Sequence, residues 1–298
     1  MNKLEVAVRQ ESIIGEGPCW DDRSETLYWI DILGKKIYSL SSDTYKVKMY
    51  DTNQFIGFLA LRERSGLICA LQDGIYAFNP LDGLMTGLLP RPDGVYENNR
   101  FNDGKCDPAG RLFAGTMSNS GNSGEAGGNK AGTLYQIDKN WQVKEVVRNV
   151  TISNGLAWSP DHKKFYYIDS PTREISVFNY KSETGEVTNR QVAIDFRSES
   201  GIPDGMTIDE EGRLWIAHWG GWKVSCWNPV NGRKLMEIDV PCRNVSCCTF
   251  GGRKMDTLYI TTARESLNLA EIKSQPESGS LFVICPGTKG MHSYRFGG

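Results

Sequence analysis

The chain has 298 residues, enough for a large core in one domain or two. It carries 34 Lys and Arg against 36 Asp and Glu, for a formal net charge of −2. No basic run stands out, so nucleic acid and anionic membrane surfaces are poor fits as partners.

No segment approaches the roughly 18 apolar residues of a membrane-spanning helix. The N-terminal residues Met1-Asn2-Lys3-Leu4-Glu5-Val6 lack the apolar stretch of a signal peptide, which points to the cytoplasm. The cysteines (Cys19, Cys69, Cys106, Cys226, Cys242, Cys247, Cys248, Cys285) are scattered through apolar runs, with no Cys-x-x-Cys spacing and few histidines nearby. They read as reduced core residues rather than zinc ligands or disulfide partners. Abundant glycine, frequent aromatics and the lack of long helical apolar spacing predict an all-β chain with many tight turns.

Taken in order, the chain repeats. Glu16-Gly17-Pro18-Cys19-Trp20-Asp21 aligns with Asn102-Asp103-Gly104-Lys105-Cys106-Asp107, Asn154-Gly155-Leu156-Ala157-Trp158-Ser159 and Asp204-Gly205-Met206-Thr207-Ile208-Asp209. Each opens on an oxygen-bearing side chain and ends on Asp or Ser at a turn. A second apolar strand follows in each unit (Leu27–Ile30, Leu112–Gly115, Phe165–Ile168, Leu214–Ala217), then a third and a weaker fourth. The steps from Asn102 to Asn154 and from Asn154 to Asp204 are each about 50 residues, within the range for propeller blades. The step from Glu16 to Asn102 is too long for one unit and suits two, the missing one beginning at Gly57-Phe58-Leu59-Ala60-Leu61. A last unit begins at Ser246-Cys247-Cys248-Thr249-Phe250.

Six units of four strands predict a six-bladed β-propeller, one domain over residues 1–298 with no linker. The alternative, a β-sandwich with a second domain, does not account for the regular period. Glu5–Val8 and His292–Phe296 are strand-like and lie outside the units. One of them is expected to complete a blade begun at the opposite end, leaving no open edge.

In a propeller the first strand of each blade lines the axis, so Glu16, Asn102, Asn154 and Asp204 are expected to meet at one mouth of the channel. Gly57 and Ser246 stand at the matching positions of blades two and six. Two carboxylates facing one another repel unless a cation lies between them. A mixed carboxylate and amide set suits hard cations such as Ca²⁺, Mg²⁺ or Mn²⁺, with Ca²⁺ favoured; oxygen sites also accept Zn²⁺. The alternative is that these residues cap turns, as Asn-Asp-Gly alone would suggest.

The loop Ser118–Lys130 lies on the same face and reads equally as a lid or a solvated loop. His218, beside Trp219 and Trp222, is expected to pack rather than to carry protons. Cys247 and Cys248 point to opposite sides of a strand and read as packing residues. Arg100 has no counterpart in other blades and is expected to face a substrate, whereas Asp103 and Lys105 lie off the ring and read as structural.

These residues resemble the senescence-marker-protein, gluconolactonase and luciferin-regenerating-enzyme family over almost the whole chain. The resemblance rests on Gly15-Glu16-Gly17-Pro18, Tyr28-Trp29-Ile30-Asp31, Arg100-Phe101-Asn102-Asp103-Gly104-Lys105, Gly115-Thr116-Met117, Ser153-Asn154-Gly155-Leu156-Ala157-Trp158, Pro203-Asp204-Gly205-Met206 and Trp219-Gly220-Gly221. It implies a six-bladed propeller with one divalent cation in the channel, held by Glu16, Asn154 and Asp204. It further implies substrate contacts from Arg100, Asn102 and Met117, an acid/base role for Asp204, and hydrolysis of small-molecule sugar lactones. The chain departs from regucalcin-like members after Gly-Thr-Met, where Ser118, Asn119 and Ser120 replace acidic residues.

A lactonase needs a polarised carbonyl, a proton acceptor for water and donors that fix the substrate, and this set can supply each. No Gly-x-Ser-x-Gly elbow is present, which disfavours a serine hydrolase. Two rival readings remain: a non-catalytic cation-binding or protein-interaction propeller, since Tyr28-Trp29-Ile30-Asp31 is similar to the YWTD blades of receptor ectodomains, and a hydrolase of another ester class.

Overall fold

Apolar β-branched and aromatic runs separated by turn residues fold into six antiparallel sheets, one for each predicted unit. The computed structural model describes residues 3–94, 98–119 and 129–298. Each blade runs from an innermost strand at the axis to an outermost strand at the rim. The innermost strands are Gly15–Asp21, Ile56–Arg62, Asn99–Cys106, Ser153–Trp158, Ile202–Ile208 and Asn244–Gly251. Consecutive innermost strands are neighbours, and the last lies against the first, so the six blades close a ring and the chain is a six-bladed β-propeller.

Burial falls from axis to rim. The second strands, such as Thr26–Asp31 and Lys164–Asp169, are almost wholly buried because both faces pack against neighbouring blades. They read as continuous apolar runs rather than alternating ones for that reason. The outer strands Val47–Asp51, Val143–Val150 and Arg233–Asp239 are largely exposed and polar. The core is a set of clusters between blades. One packs Phe113, Leu134, Leu156, Trp158 and Phe165 between blades three and four, with Phe113 and Trp158 edge to face at 5.1 Å.

The ring closes through the N-terminal strand. Glu5–Val8 pairs antiparallel with Leu281–Ile284 and forms the outer strand of blade six, so the first and last parts of the chain share one sheet. The C-terminal segment does something else. Only Arg295–Phe296 forms a strand, and it runs parallel to Ile56–Arg62 at the axis of blade two. From Gly290 onward the chain crosses the end of the channel. The Gly290 amide donates to the Met255 carbonyl, Tyr294 Oη meets His162 Nε2 at 2.9 Å, Arg295 binds Asp21 and Asp22, and the Gly297 amide donates to the Gly110 carbonyl. Phe296 is fully buried against Trp141. This segment joins turns at the face opposite the loops that link second and third strands.

The eight cysteines are all free, seven of them buried. One short helix, Leu269–Ser274, lies in the long loop of blade six. Asn268 accepts from the amides of Ala270 and Glu271 while Glu271 reaches back to the Asn268 amide, a capping box legible as Asn-x-x-Glu but not anticipated from the apolar pattern. No helix among the described residues is long and apolar enough to cross a membrane.

Candidate active site

All six innermost strands lose register with their neighbours at the same point. The shifts fall at Glu16/Cys19, Ile56/Phe58, Phe101/Gly104, Asn154/Leu156, Pro203/Met206 and Val245/Cys247. A β-bulge bends its strand and re-aims the side chain beside it. Here the bulges take in Gly57, Asn102, Asp204 and Ser246 and directly follow Glu16 and Asn154, the positions the repeat aligns. Blade two offers no side chain because none fits. A Cβ on Gly57 would lie 2.6 Å from the Phe101 carbonyl group and 2.7 Å from the backbone carbonyl oxygen of Asn102. Ser246 turns aside, its hydroxyl donating to the Gly15 carbonyl.

A pocket of about 380 Å³ opens above this ring. Its polar floor is Glu16, Arg100, Asn102, Asn154 and Asp204, and Met117 stands in its wall. Ile14 and Ile32 of blade one, Ile152 of blade four, and Ile202 and Trp219 of blade five form an apolar rim. Ser170, Glu265 and Ser266 complete the lining. Sequence reasoning did not single out these last residues or the isoleucines, although the repeat places the loops that carry Ser170 and Glu265 on this face.

A hydrogen-bonded relay orients the floor. Arg100 donates from Nε to Asn119 Oδ1 at 3.0 Å, and from one terminal nitrogen to the Phe101 carbonyl and to Asn102 Oδ1 at 2.7 Å. Asn102 Nδ2 donates to the Ser153 carbonyl and to Asn154 Oδ1, both at 2.9 Å. Asn154 Nδ2 in turn donates to Ser170 Oγ at 2.8 Å, and the Ser170 hydroxyl donates to the Pro203 carbonyl at 2.7 Å. The end of this chain fixes its direction. A carbonyl only accepts, so Ser170 must accept from Asn154, which turns the Asn154 oxygen toward Asn102 and the pocket. Both amide hydrogens of Asn102 are therefore engaged within the protein. The second terminal nitrogen of Arg100 has no partner among the described residues.

The carboxylates are less well provided for. Glu16 accepts from the Gly17 amide at 2.7 Å. Burial, reinforced by the Asp103 charge, pushes its carboxyl up to about 8, against the opposing influence of Gly17, Cys247 and Arg100. Asp204 accepts no hydrogen bond from the described residues. Burial, then Glu16 and Asp103, hold it well above the usual carboxylate range, with Arg100 opposing them. Burial lowers Arg100 to about 10, offset in part by Glu16 and Asp204.

Two buried carboxyl groups and one oriented amide oxygen, with no thiolate or imidazole among them, match the donor set of a hard divalent cation. The acceptor capacity left idle on Asp204 is what such an ion would use. The described residues hold no cluster of three His, Cys, Asp or Glu side chains; the third oxygen here belongs to Asn154.

Other expected features lie elsewhere. Asp103 is buried and accepts from the Gly104 amide, and Lys105 Nζ donates to the Met206 carbonyl at 2.9 Å. Both line a second cavity of about 60 Å³, further along the channel and closed by Met291–Tyr294. Asp103 is thus off the ring but still within the channel, where its charge reaches Glu16 and Asp204. His218 is outside the pocket, fully buried between the Ser200 carbonyl and Ser225 Oγ and 4.5 Å from the Phe196 ring. Burial lowers it to about 4, so it is neutral at physiological pH. Most of the loop Ser118–Lys130 (residues 120–128) lies outside the described residues.

Residues 14–264 match the family model described as SMP-30/Gluconolactonase/LRE-like region. The chain is 37% identical over 96% of its length, and 96% of the relative's, to YvrE of Bacillus subtilis (strain 168), named provisionally as a sugar lactone lactonase. Among solved structures, it superposes on a luciferin-regenerating enzyme with a TM-score of 0.91 at 30% identity, covering 99% of both chains. It also superposes on regucalcin of Agrobacterium tumefaciens, described as a calcium-binding protein, with a TM-score of 0.90 at 26% identity over 98% of this chain and 96% of that one. The bulged ring, the pocket it forms and these matches together place the chain in the SMP-30/gluconolactonase/LRE-like family.

Proposed function

We propose that the protein hydrolyses sugar lactones with the help of one divalent cation, using Asp204 as acid and base. The observation that carries this reading is the floor of the pocket: two buried carboxyl groups from blades one and five, an oriented amide oxygen from blade four and an arginine from blade three, with no hydroxyl or thiol nucleophile among them. The name of the Bacillus relative supports the substrate class, and the description of the Agrobacterium regucalcin as calcium-binding supports the cation.

Glu16, Asn154 and Asp204 would hold the ion, which when bound polarises a carbonyl and acidifies water. With positive charge beside it, Asp204 would be in the ionised form a base requires. Asp204 then takes the proton of the attacking water and gives a proton to the departing ring oxygen. The free terminal nitrogen of Arg100 donates to a substrate oxygen. Asn102 has no amide hydrogen to spare, so its part is to hold Arg100 and Asn154 in position rather than to bind substrate through its N–H groups. Met117 and the isoleucine rim exclude water around the reacting ring, which strengthens each of these polar contacts.

A pH-stat screen of aldonolactones, aryl esters and an organophosphate, with Ca²⁺, Mg²⁺, Mn²⁺ and Zn²⁺ in turn, tests the reading. Cation-dependent turnover of an aldonolactone is expected. Turnover confined to aryl esters, or none with any ion, contradicts it.

A further inference from the structure

The wall of the pocket that faces Arg100 carries a carboxylate to which the reaction above gives no part. Blades three and six stand opposite one another in the ring, so Arg100 on the floor and Glu265 at the mouth lie on opposing sides of the pocket. Glu265 is held by its backbone: its amide donates to the Ile13 carbonyl at 2.9 Å and its carbonyl accepts from Asn244 Nδ2 at 2.9 Å. The next residue, Ser266, has a left-handed backbone at φ 59°, which a side chain other than glycine adopts at a cost. That turn sets Ser266 beside Glu265, and its hydroxyl donates to the carboxylate. The neighbouring cation is occupied elsewhere: Arg264 pairs with Glu11 and donates to the Ser278 carbonyl. Among the described residues no cation pairs with Glu265, and it remains partly exposed at the pocket mouth.

We infer that Glu265 is a specificity-determining residue, accepting hydrogen bonds from hydroxyl groups at the end of the lactone remote from the scissile carbonyl. It would favour neutral polyhydroxylated lactones and turn away those carrying a second carboxylate. This rests on the lactonase reading and specifies its substrate class. The polarity of the pocket sets the orientation. Arg100 and a cation on the floor attract acceptor oxygens, the carbonyl and ring oxygen of the ester. A carboxylate only accepts, so the part of the substrate beside Glu265 must donate. A polar group placed to bind a substrate hydroxyl discriminates strongly against an analogue that lacks it. The apolar side chains of Ile14, Ile152 and Ile202 around the mouth leave few competing partners.

The test compares wild type, Glu265→Gln and Glu265→Ala on three substrates: D-glucono-1,5-lactone, D-glucaro-1,4-lactone with its free carboxylate, and hydroxyl-free δ-valerolactone. Thermal melting of each variant serves as a check on folding. Both substitutions are expected to lower the ratio of kcat/KM for gluconolactone over glucarolactone by about 10-fold or more. The loss on gluconolactone should lie mainly in KM, with δ-valerolactone unaffected. An unchanged ratio in folded variants, with wild-type turnover intact, overturns the role of Glu265 alone. Wild type without turnover of any lactone overturns the underlying reading as well.

Discussion

Raising the pH of the cation-free protein should destabilise it, and adding a cation should restore what is lost. The cause is the pair of buried carboxyl groups on the pocket floor. In the unfolded chain Glu16 ionises near 4.5; in the folded protein burial and Asp103 carry it to about 8. Between those values the folded state holds a proton that the unfolded state has released. Stability therefore falls as pH rises through this window, and is fully present only below the lower value. At roughly 1.4 kcal/mol per pH unit, the interval for Glu16 sets a ceiling of about 5 kcal/mol. Asp204, also raised, adds in the same direction. The assay is urea denaturation at pH 5 to 9, with EDTA and with millimolar Ca²⁺. With EDTA the unfolding free energy should drop from pH 5 to pH 8. With Ca²⁺ the drop should shrink or reverse, because the ion binds the ionised forms, and its binding at pH 7 should release protons. Glu16→Gln should remove much of the slope in EDTA. A flat or rising profile in EDTA would show that Arg100 already keeps these carboxyl groups ionised, and would refute the reasoning.

Two further predictions concern the scaffold. Ser170→Ala leaves the buried Asn154 amide hydrogen and Pro203 carbonyl without partners; denaturation should show a loss of about 2–4 kcal/mol, and calcium titration should show weakened affinity as Asn154 loses its orientation. Phe296→Ala empties a fully buried site beside Trp141 where the C-terminal segment crosses the channel; urea unfolding should register a loss of about 3–5 kcal/mol.

The fold was legible because the repeat carries two signals at once, an apolar strand pattern and a polar residue at a constant place in it. Glu16, Asn102, Asn154 and Asp204 align by spacing, and the structure brings all four to one pocket floor. Spacing cannot show hydrogen-bond direction. The family resemblance implies a substrate contact from Asn102, and its amide hydrogens are committed to Ser153 and Asn154. The partner that sets this arrangement, Ser170, is one polar residue among several in a short loop. Nor did the sequence distinguish what the two ends of the chain do. Glu5–Val8 and the C-terminal segment are both strand-like, but the first completes blade six while the second pairs in parallel at the axis. Glu265 stayed hidden because it lies outside the strands, in a loop whose path depends on a left-handed serine.

The most direct test is the hydrolysis of D-glucono-1,5-lactone by wild type and by Asp204→Asn, each with Ca²⁺ and after thorough chelation. Asn keeps the volume of Asp204 and one side-chain oxygen but cannot accept the proton of water. Turnover should fall by about 100-fold or more in the variant and should be lost in the chelated wild type, while the variant melts cooperatively at a temperature no lower than cation-free wild type. Full activity in folded Asp204→Asn, or in wild type freed of divalent cations, would contradict a mechanism centred on this carboxylate and its ion.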